Sequence, residues 1–277
     1  MAGDGLFFEK RLLKRNTRVV FDFDDAIYLG PNEPAVRWMC KNAAWVTPGN
    51  EYLGKYARQH TDRVTVIPTV IDTDLFLPQI TRPHEEKLVR VGWSGSDQSI
   101  QATLFPFLPI LMEVQRSTPF ELVIVTNTRP QLPVGTDFLW RFVPWSPQLE
   151  PHFGTYMDIG IMPLLDQPFQ RGKCGFKLLQ YMAAALPTIA SPVGVNRQIT
   201  ENGCTGFFAE TERDWREALD RLLTSFELRR DMGRSGRRRC VQLYSLATWL
   251  PRLTAIFEAV ANGSGLKSAD RLLTSTY

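Results

Sequence analysis

Short apolar runs that alternate with helical segments are the feature that most restricts how this chain can fold. Arg18–Phe23 (RVVFDF) and Phe120–Val125 (FELVIV) combine β-branched and aromatic residues over the length of a strand. Runs that are apolar throughout are typical of parallel strands covered on both faces. Helical segments lie between such runs, as at Pro34–Ala44, where proline suits the first turn. The alternation predicts an α/β fold with doubly wound, Rossmann-like units.

A polar segment with two prolines divides this alternation into two parts. Asp72–Lys87 contains Pro78 and Pro83 and has no apolar periodicity, so we interpret it as an interdomain linker. The pattern before it is short and incomplete, and the pattern restarts at Leu88. Two such units would place a ligand cleft at the carboxyl ends of their strands. The predicted organisation is a partial first domain at 1–80, a second domain at 81–244, a closing helix at 245–262 and a loose tail at 263–277.

Single residues predict where some elements begin or break. Asn50 has the side chain of an N-cap and precedes a helical pattern. Val64–Ile67 is typical of a further short strand. Glu227–Tyr244 predicts a helix that is broken near Gly233 and Gly236.

Composition excludes several classes of protein. Hydrophobic residues make up 44% and charged residues 22% of the chain, which excludes collagen-like, coiled-coil and largely disordered proteins. No apolar run approaches the roughly 20 residues of a membrane span, and the first residues lack a signal-peptide core. The four cysteines lie far apart, which favours a reduced cytoplasmic setting and disfavours a zinc site. The net charge of +3 is too small to indicate nucleic acid.

The densest candidate site is Arg171–Pro187, with the sequence RGKCGFKLLQYMAAALP. Arg171, Lys173 and Gly175 lie in the loop that starts a helix, where free N–H groups and the helix dipole favour an anion such as a diphosphate. Lys177 and Gln180 follow on one helix face, three residues apart. The alternative is a basic helix start with solvated lysines.

Two further loops follow predicted strands. Gly92 and Gly95 bracket the turn after the first strand of the second domain, and glycines there allow a backbone to approach a ligand closely. An ordinary tight turn remains the alternative. Ser191–Asn196 follows a later strand, and Asn196 has the side chain of a cap for the next short helix.

Three carboxylates at Asp22, Asp24 and Asp25 follow the first strand. Such a group could bind a hard cation or act in phosphoryl transfer, and VVFDFDDAI is similar to the opening motif of haloacid-dehalogenase-type phosphatases. That mechanism needs a Ser or Thr, then a Lys, then an acidic pair, and Lys173 comes after Asp158 and Asp166, in the wrong order. Loop acids that cap a turn are the alternative.

Arginines crowd the region from Arg229 to Arg239. A solvated helix face is one interpretation, and a patch for anionic lipid headgroups is the other.

Together, the ordered motifs resemble the family 4 glycosyltransferases with a GT-B fold. The similar segments are VVFDFDDAIY, TPGNEYLGKYA, VTVIPTVIDTDLF, VGWSGS, MDIGIMPL, RGKCGFKLLQYMA, ASPVGVN, ENGCTGFFA and LRRDMGRSGRRRCVQLYSL. The resemblance implies transfer of a sugar, with retention, from a UDP- or GDP-sugar to an acceptor hydroxyl. It also implies that no metal or other cofactor is needed and that the product is a polysaccharide or glycoconjugate, on a glycan or lipid-linked acceptor. We expect a cytoplasmic protein, with peripheral membrane association through the Arg229–Arg239 region.

The resemblance also carries over residue roles, although it identifies no catalytic residue. It assigns Arg171, Lys173, Gly95 and Ser96 to the donor diphosphate; Cys174, Gly175 and Phe176 to the donor sugar; Gln180 to the ribose; and Val143 and Trp145 to the nucleobase pocket.

The sequence departs from the family pattern at several positions. A paired-glutamate motif of many relatives falls on Gly172 and Gln180, and Trp93 and Ser94 replace the usual Arg and Lys. Ala185 stands where a glycine is usual, at a helix end that often has left-handed geometry. The first half of the N-terminal domain has no counterpart, nor has its donor-facing histidine. The alternative function is therefore a non-catalytic nucleotide-binding remnant.

Overall fold

The helices and strands alternate as the sequence predicts. A computed structural model describes residues 6–78 and 88–263. The strands are β1 Val20–Phe23, β2 Trp45–Pro48, β3 Val89–Ser94, β4 Phe120–Thr126, β5 Trp140–Pro144, β6 Ile159–Met162, β7 Thr188–Ala190 and β8 Gly206–Phe208. The helices are α1 Phe7–Arg15, α2 Glu33–Asn42, α3 Glu51–Ala57, α4 Asp97–Thr103, α5 Leu108–Ser117, α6 Phe153–Tyr156, α7 Pro168–Arg171, α8 Phe176–Ala183, α9 Asn196–Ile199, α10 Glu212–Thr224, α11 Phe226–Tyr244 and α12 Leu246–Asn262.

Two compact units divide the chain. Within the described residues, the first unit contains 6–69, 167–174 and 246–263, and the second contains 70–78, 88–166 and 175–245. Residues 70–78 belong to the second unit, rather than to the predicted first domain, because the Ile71 N–H donates to the Tyr244 carbonyl at 2.9 Å and Arg237 donates to the Thr73 carbonyl. The predicted boundary at 80/81 and the tail from 264 onward lie outside the described residues.

The second unit is built on a parallel sheet. Among the described residues its six strands have the order β5-β4-β3-β6-β7-β8. Successive residues of β4 face opposite cores: Val123 and Val125 pack with α8 and the end of α11, and Leu122 and Ile124 pack with α5 and α10. Helices thus cover both faces, which confirms the predicted doubly wound α/β class. The order reverses between β3 and β6, where such sheets form a ligand crevice at their carboxyl edge.

The first unit contains β1 and β2, which pair in parallel from Val20 opposite Trp45. Asn50 caps α3 as predicted, because its side-chain oxygen accepts the Leu53 N–H at 2.9 Å. The predicted strand at Val64–Ile67 is only a single bridge to Val46. Ile67 does donate to the Pro48 carbonyl, but Pro48 has no N–H to continue the ladder.

Helix α11 runs unbroken from Phe226 to Tyr244, so the predicted break near Gly233 and Gly236 is wrong. A Cβ at Gly233 would collide with the carbonyl oxygen of Ala185. The glycine therefore allows close packing of α11 on the end of α8, and it does not interrupt the helix. Ala185 has φ +56°, the left-handed geometry that the sequence predicted there.

Candidate functional site

The glycine turn after β3 is fastened to its neighbours in the second unit. The Gly95 N–H donates to the Val125 carbonyl at 3.0 Å. The Ser94 N–H donates to the Tyr181 hydroxyl of α8 at 2.9 Å, and burial raises the pKa of that phenol to about 12. Ser96 caps α4 by accepting the Ser99 N–H. The position of the turn is therefore fixed from both sides.

Lys177 lies directly beside this turn. Its Nζ is 4.3 Å from the centroid of the Trp93 ring, and a Cβ at Gly95 would come within 2.6 Å of both Nζ and that ring. Glycine is required at 95 because the lysine and the tryptophan approach its backbone so closely. The spacing of Lys177 to Gln180 indicates a shared helix face, but the family resemblance does not include Lys177 among the diphosphate residues.

Helix α8 begins at a left-handed residue of the second unit. Gly175 has φ +75° and a Cβ there would collide with Ile199, so the position favours glycine twice over. The Gly175 carbonyl accepts the Leu178 N–H at 2.9 Å. Phe176, the first helical residue, remains partly exposed. The helix start thus exposes part of its first turn, as an anion site requires.

Gln180 and Trp145 are connected by hydrogen bonds to the same residue, Glu150. Gln180 Nε2 donates to Glu150 Oε1 at 2.6 Å, and Trp145 Nε1 donates to the same oxygen at 3.2 Å. Val143 is buried at the end of β5, two residues before Trp145. The structure therefore joins the residues predicted for the ribose and for the base. Glu150 was not predicted, because its contact with Gln180 spans 30 residues and no local pattern marks it.

The loop with Arg171, Lys173 and Cys174 belongs to the first unit. Asn50 braces it, since Nδ2 donates to the Gly172 carbonyl at 2.8 Å and lies 3.2 Å from Cys174 Sγ. Lys173 Nζ is 3.5 Å from Asp25 Oδ1. Burial raises the pKa of the Cys174 thiol to about 12, so it is a neutral thiol at pH 7.

The three carboxylates fall at the end of β1: Asp22 lies within the strand, and Asp24 and Asp25 follow it. Asp22 Oδ1 accepts the Thr47 hydroxyl at 2.6 Å, across the β1–β2 pair. Burial raises the pKa of Asp25, which the nearby Lys173 opposes. Among the described residues, no group of three or more His, Cys, Asp or Glu side chains is arranged to hold a metal ion. Asp22 is therefore a strand residue paired across the sheet and Asp25 is paired with Lys173, so neither contact is the turn cap that the alternative interpretation expected.

Residues 88–225 match the family model "Glycosyl transferases group 1". This segment belongs to the glycosyl transferases group 1. All ten residues that the resemblance assigned to the donor lie within it. No curated protein matches the chain with significant sequence similarity.

Solved glycosyltransferases share the fold. Sucrose-phosphate synthase from Thermosynechococcus elongatus aligns with a TM-score of 0.71 at 17% identity, over 94% of this chain and 72% of its own. Alr3699/HepE from Anabaena, in complex with UDP and glucose, aligns with a TM-score of 0.65 at 13% identity, over 88% and 70%. The C-terminal domain of the Francisella tularensis group 1 protein LpcC covers 64% of this chain and 99% of its own, with a TM-score of 0.51 at 16% identity. The predicted GT-B fold class is confirmed.

Arginines of α11, which follows the matched segment directly, cap helix ends. Arg229 donates to the Leu222 and Leu223 carbonyls near the end of α10, and Arg239 donates to the Gln198 and Ile199 carbonyls of α9. Arg237 donates to the Ala183 carbonyl at the end of α8. These guanidinium groups satisfy carbonyls that a helix leaves unpaired.

The side chains of Arg230, Arg234 and Arg238 are exposed. Binding of anionic lipid headgroups by the Arg229–Arg239 region stays a prediction. Within 6–78 and 88–263, no helix is long and apolar enough to cross a membrane.

Proposed function

We propose that the protein is a retaining glycosyltransferase that moves a sugar from a UDP- or GDP-sugar to an acceptor hydroxyl. The observation that carries the proposal is the match of 88–225 to a glycosyltransferase family, because that segment contains every residue assigned to the donor. HepE, a protein with the same fold, has been solved with UDP-glucose, which favours UDP for the first test.

The leaving diphosphate gains negative charge as the bond from the sugar C1 to the phosphate oxygen breaks. In the proposed mechanism, the Lys177 ammonium beside Gly95 and the first-turn N–H groups of α8 stabilise this charge. Arg171 and Lys173 are proposed to add two further cations. These donors replace the metal ion that other transferases use, so we propose that the reaction needs none.

The donor sugar is proposed to lie against the backbone of Cys174, Gly175 and Phe176. The backbone turns sharply at Gly175, where φ is +75° and no side chain is present, so it can approach a ligand closely. Since the raised pKa keeps the Cys174 thiol neutral, we do not assign it a role as nucleophile. Gln180 and the Val143–Trp145 end of β5 are proposed to hold the nucleoside.

The alternative is a nucleotide-binding remnant without catalysis. The observation that favours it is the small sheet of the first unit, which has two strands among the described residues. Incubation with labelled UDP- and GDP-sugars and with glycan or lipid acceptors from a cell extract tests both ideas. Transfer of label to an acceptor supports the enzyme. Nucleotide binding without any transfer supports the remnant, and no binding at all by folded protein contradicts both.

A glycan or lipid-linked acceptor, a role in polysaccharide or glycoconjugate synthesis and a cytoplasmic location with peripheral membrane association complete the proposal. They follow from the resemblance alone, and the same extract experiment identifies the acceptor class.

A further inference from the structure

A carboxylate lies between two residues that the resemblance assigns to the donor nucleoside. We infer that Glu150 recognises the ribose hydroxyls of the bound nucleotide, with Gln180 and Trp145 as the residues that position it. The inference rests on the proposed function, because it states which part of the nucleotide-sugar donor the Glu150 side chain binds.

The carboxylate is held firmly from several sides. Glu150 begins a 3₁₀ turn, Glu150–His152, and its own N–H donates to the Ser146 carbonyl at 3.1 Å. Gln180 is only 3% exposed, so its amide has little freedom to turn away from Glu150. The Trp145 indole N–H donates from the other side at 3.2 Å. Three elements therefore fix the carboxylate: the end of β5, the 3₁₀ turn and helix α8.

The chemistry of the held group suits a pair of hydroxyls. Both N–H groups donate to one oxygen, Oε1, whereas an ionised carboxylate has acceptor sites for about four hydrogen bonds. Neighbouring ribose hydroxyls are donors that such an acceptor can bind together. Hydrogen bonds to an ionised group are roughly twice as strong as neutral ones. Rossmann folds that bind dinucleotides use an acidic side chain on ribose hydroxyls in this way.

The order of the side chains along the site follows the order of parts in a nucleotide. Lys177 and Gln180 lie three residues apart on α8, so their Cβ atoms are about 5–6 Å apart on one face. Lys177 lies beside the Gly95 turn, where the diphosphate is proposed. One turn further along, Gln180 meets Glu150, and beyond Glu150 the indole of Trp145 is 39% exposed. Phosphate, ribose and base would occupy these three places in turn.

A bracing role is the competing explanation for the Glu150 contacts, since they tie the end of β5 to α8. The two explanations differ in what Glu150→Gln does. The amide oxygen of glutamine still accepts from Trp145 and Gln180, so the brace remains. Its second polar atom is an N–H donor, which cannot accept a hydrogen bond from a ribose hydroxyl.

Calorimetric titration with UDP and with 2′-deoxy-UDP separates the two explanations. If the protein binds GDP instead, GDP and 2′-deoxy-GDP are used. We expect the unaltered protein to bind the ribose form about tenfold or more tightly than the deoxy form. Glu150→Gln should bind the ribose form about tenfold more weakly and lose the preference. Glu217→Gln, an exposed change on α10, is the matched control and should keep both the affinity and the preference.

Each result decides one question. An unaltered protein without preference for ribose, or a Glu150→Gln variant that keeps the preference, overturns the inference and leaves the proposed function intact. A folded protein that binds neither UDP nor GDP contradicts the proposed function itself. Far-ultraviolet circular dichroism of every variant confirms that it is folded.

Discussion

At the scale of single residues, two lysines of the RGKCGFK segment have different surroundings. Lys177 lies over Trp93 and beside Gly95 in the second unit. Lys173 lies in the first unit with Asp25 at 3.5 Å. We expect both to contribute to diphosphate binding, and sequence reasoning identified only Lys173.

Lys177→Ala and Lys173→Ala should each weaken UDP binding by about 1.5–3 kcal/mol, the value of a hydrogen bond to a charged group. Calorimetry measures the effect. Lys55→Ala removes an exposed lysine from α3 and should leave the affinity unchanged. Unaltered affinity in the Lys177 or the Lys173 variant would remove that residue from the diphosphate site.

Ala185 has a backbone geometry that alanine adopts at a cost. Leu186 N–H donates to the Tyr181 carbonyl and Ala185 N–H to the Met182 carbonyl, which is the Schellman pattern that usually has glycine at this point. Ala185→Gly should raise the free energy of unfolding by about 1 kcal/mol, because relief of the left-handed strain exceeds the added entropy of the unfolded chain. Ala184→Gly, at φ −77°, should lower it by about 0.5–1 kcal/mol. Urea denaturation measures both; a loss in the Ala185 variant would contradict this account of strain.

At the scale of elements, the two glycines of α11 differ in what surrounds them. A Cβ at Gly233 would collide with the Ala185 carbonyl, whereas a Cβ at Gly236 would meet Met182 Cγ at an ordinary 3.4 Å. Gly233→Ala should therefore lower the free energy of unfolding by about 1–3 kcal/mol through overpacking. Gly236→Ala should raise it by about 0.5–1 kcal/mol, because alanine favours a helix. If urea denaturation showed the same change in the free energy of unfolding for both variants, helix propensity alone would explain both positions.

Most elements were predictable because each carries its own signal. The four residues of β6 are apolar or glycine and all are buried, so the run indicates a strand by itself. The sequence signal for the Asn50 cap is also local, because it depends only on Asn50 and the helix that follows it. The strand expected at Val64–Ile67 depends on a hydrogen bond that Pro48 cannot donate, and β8, at Gly206–Phe208, is too short to stand out. Strands whose pairing depends on a residue far away in the chain cannot be predicted from the local sequence pattern.

At the scale of the whole molecule, the sequence predicted the doubly wound α/β class but not the composition of the two units. Residues 167–174 and 246–263 belong to the first unit although both are remote from it in the chain. Glu150 escaped prediction for the same physical reason: its role depends on a contact 30 residues away. A domain described as one continuous range of residues is accurate only where most contacts join residues that are close in the sequence.

The account depends most on nucleotide binding by the group 1 segment, 88–225. The direct measurement is calorimetric titration of the folded protein with UDP, GDP and their sugars in metal-free buffer. The account predicts saturable binding of at least one nucleoside diphosphate without added metal. Absence of binding by every one of them, while circular dichroism shows a folded α/β protein, would contradict it.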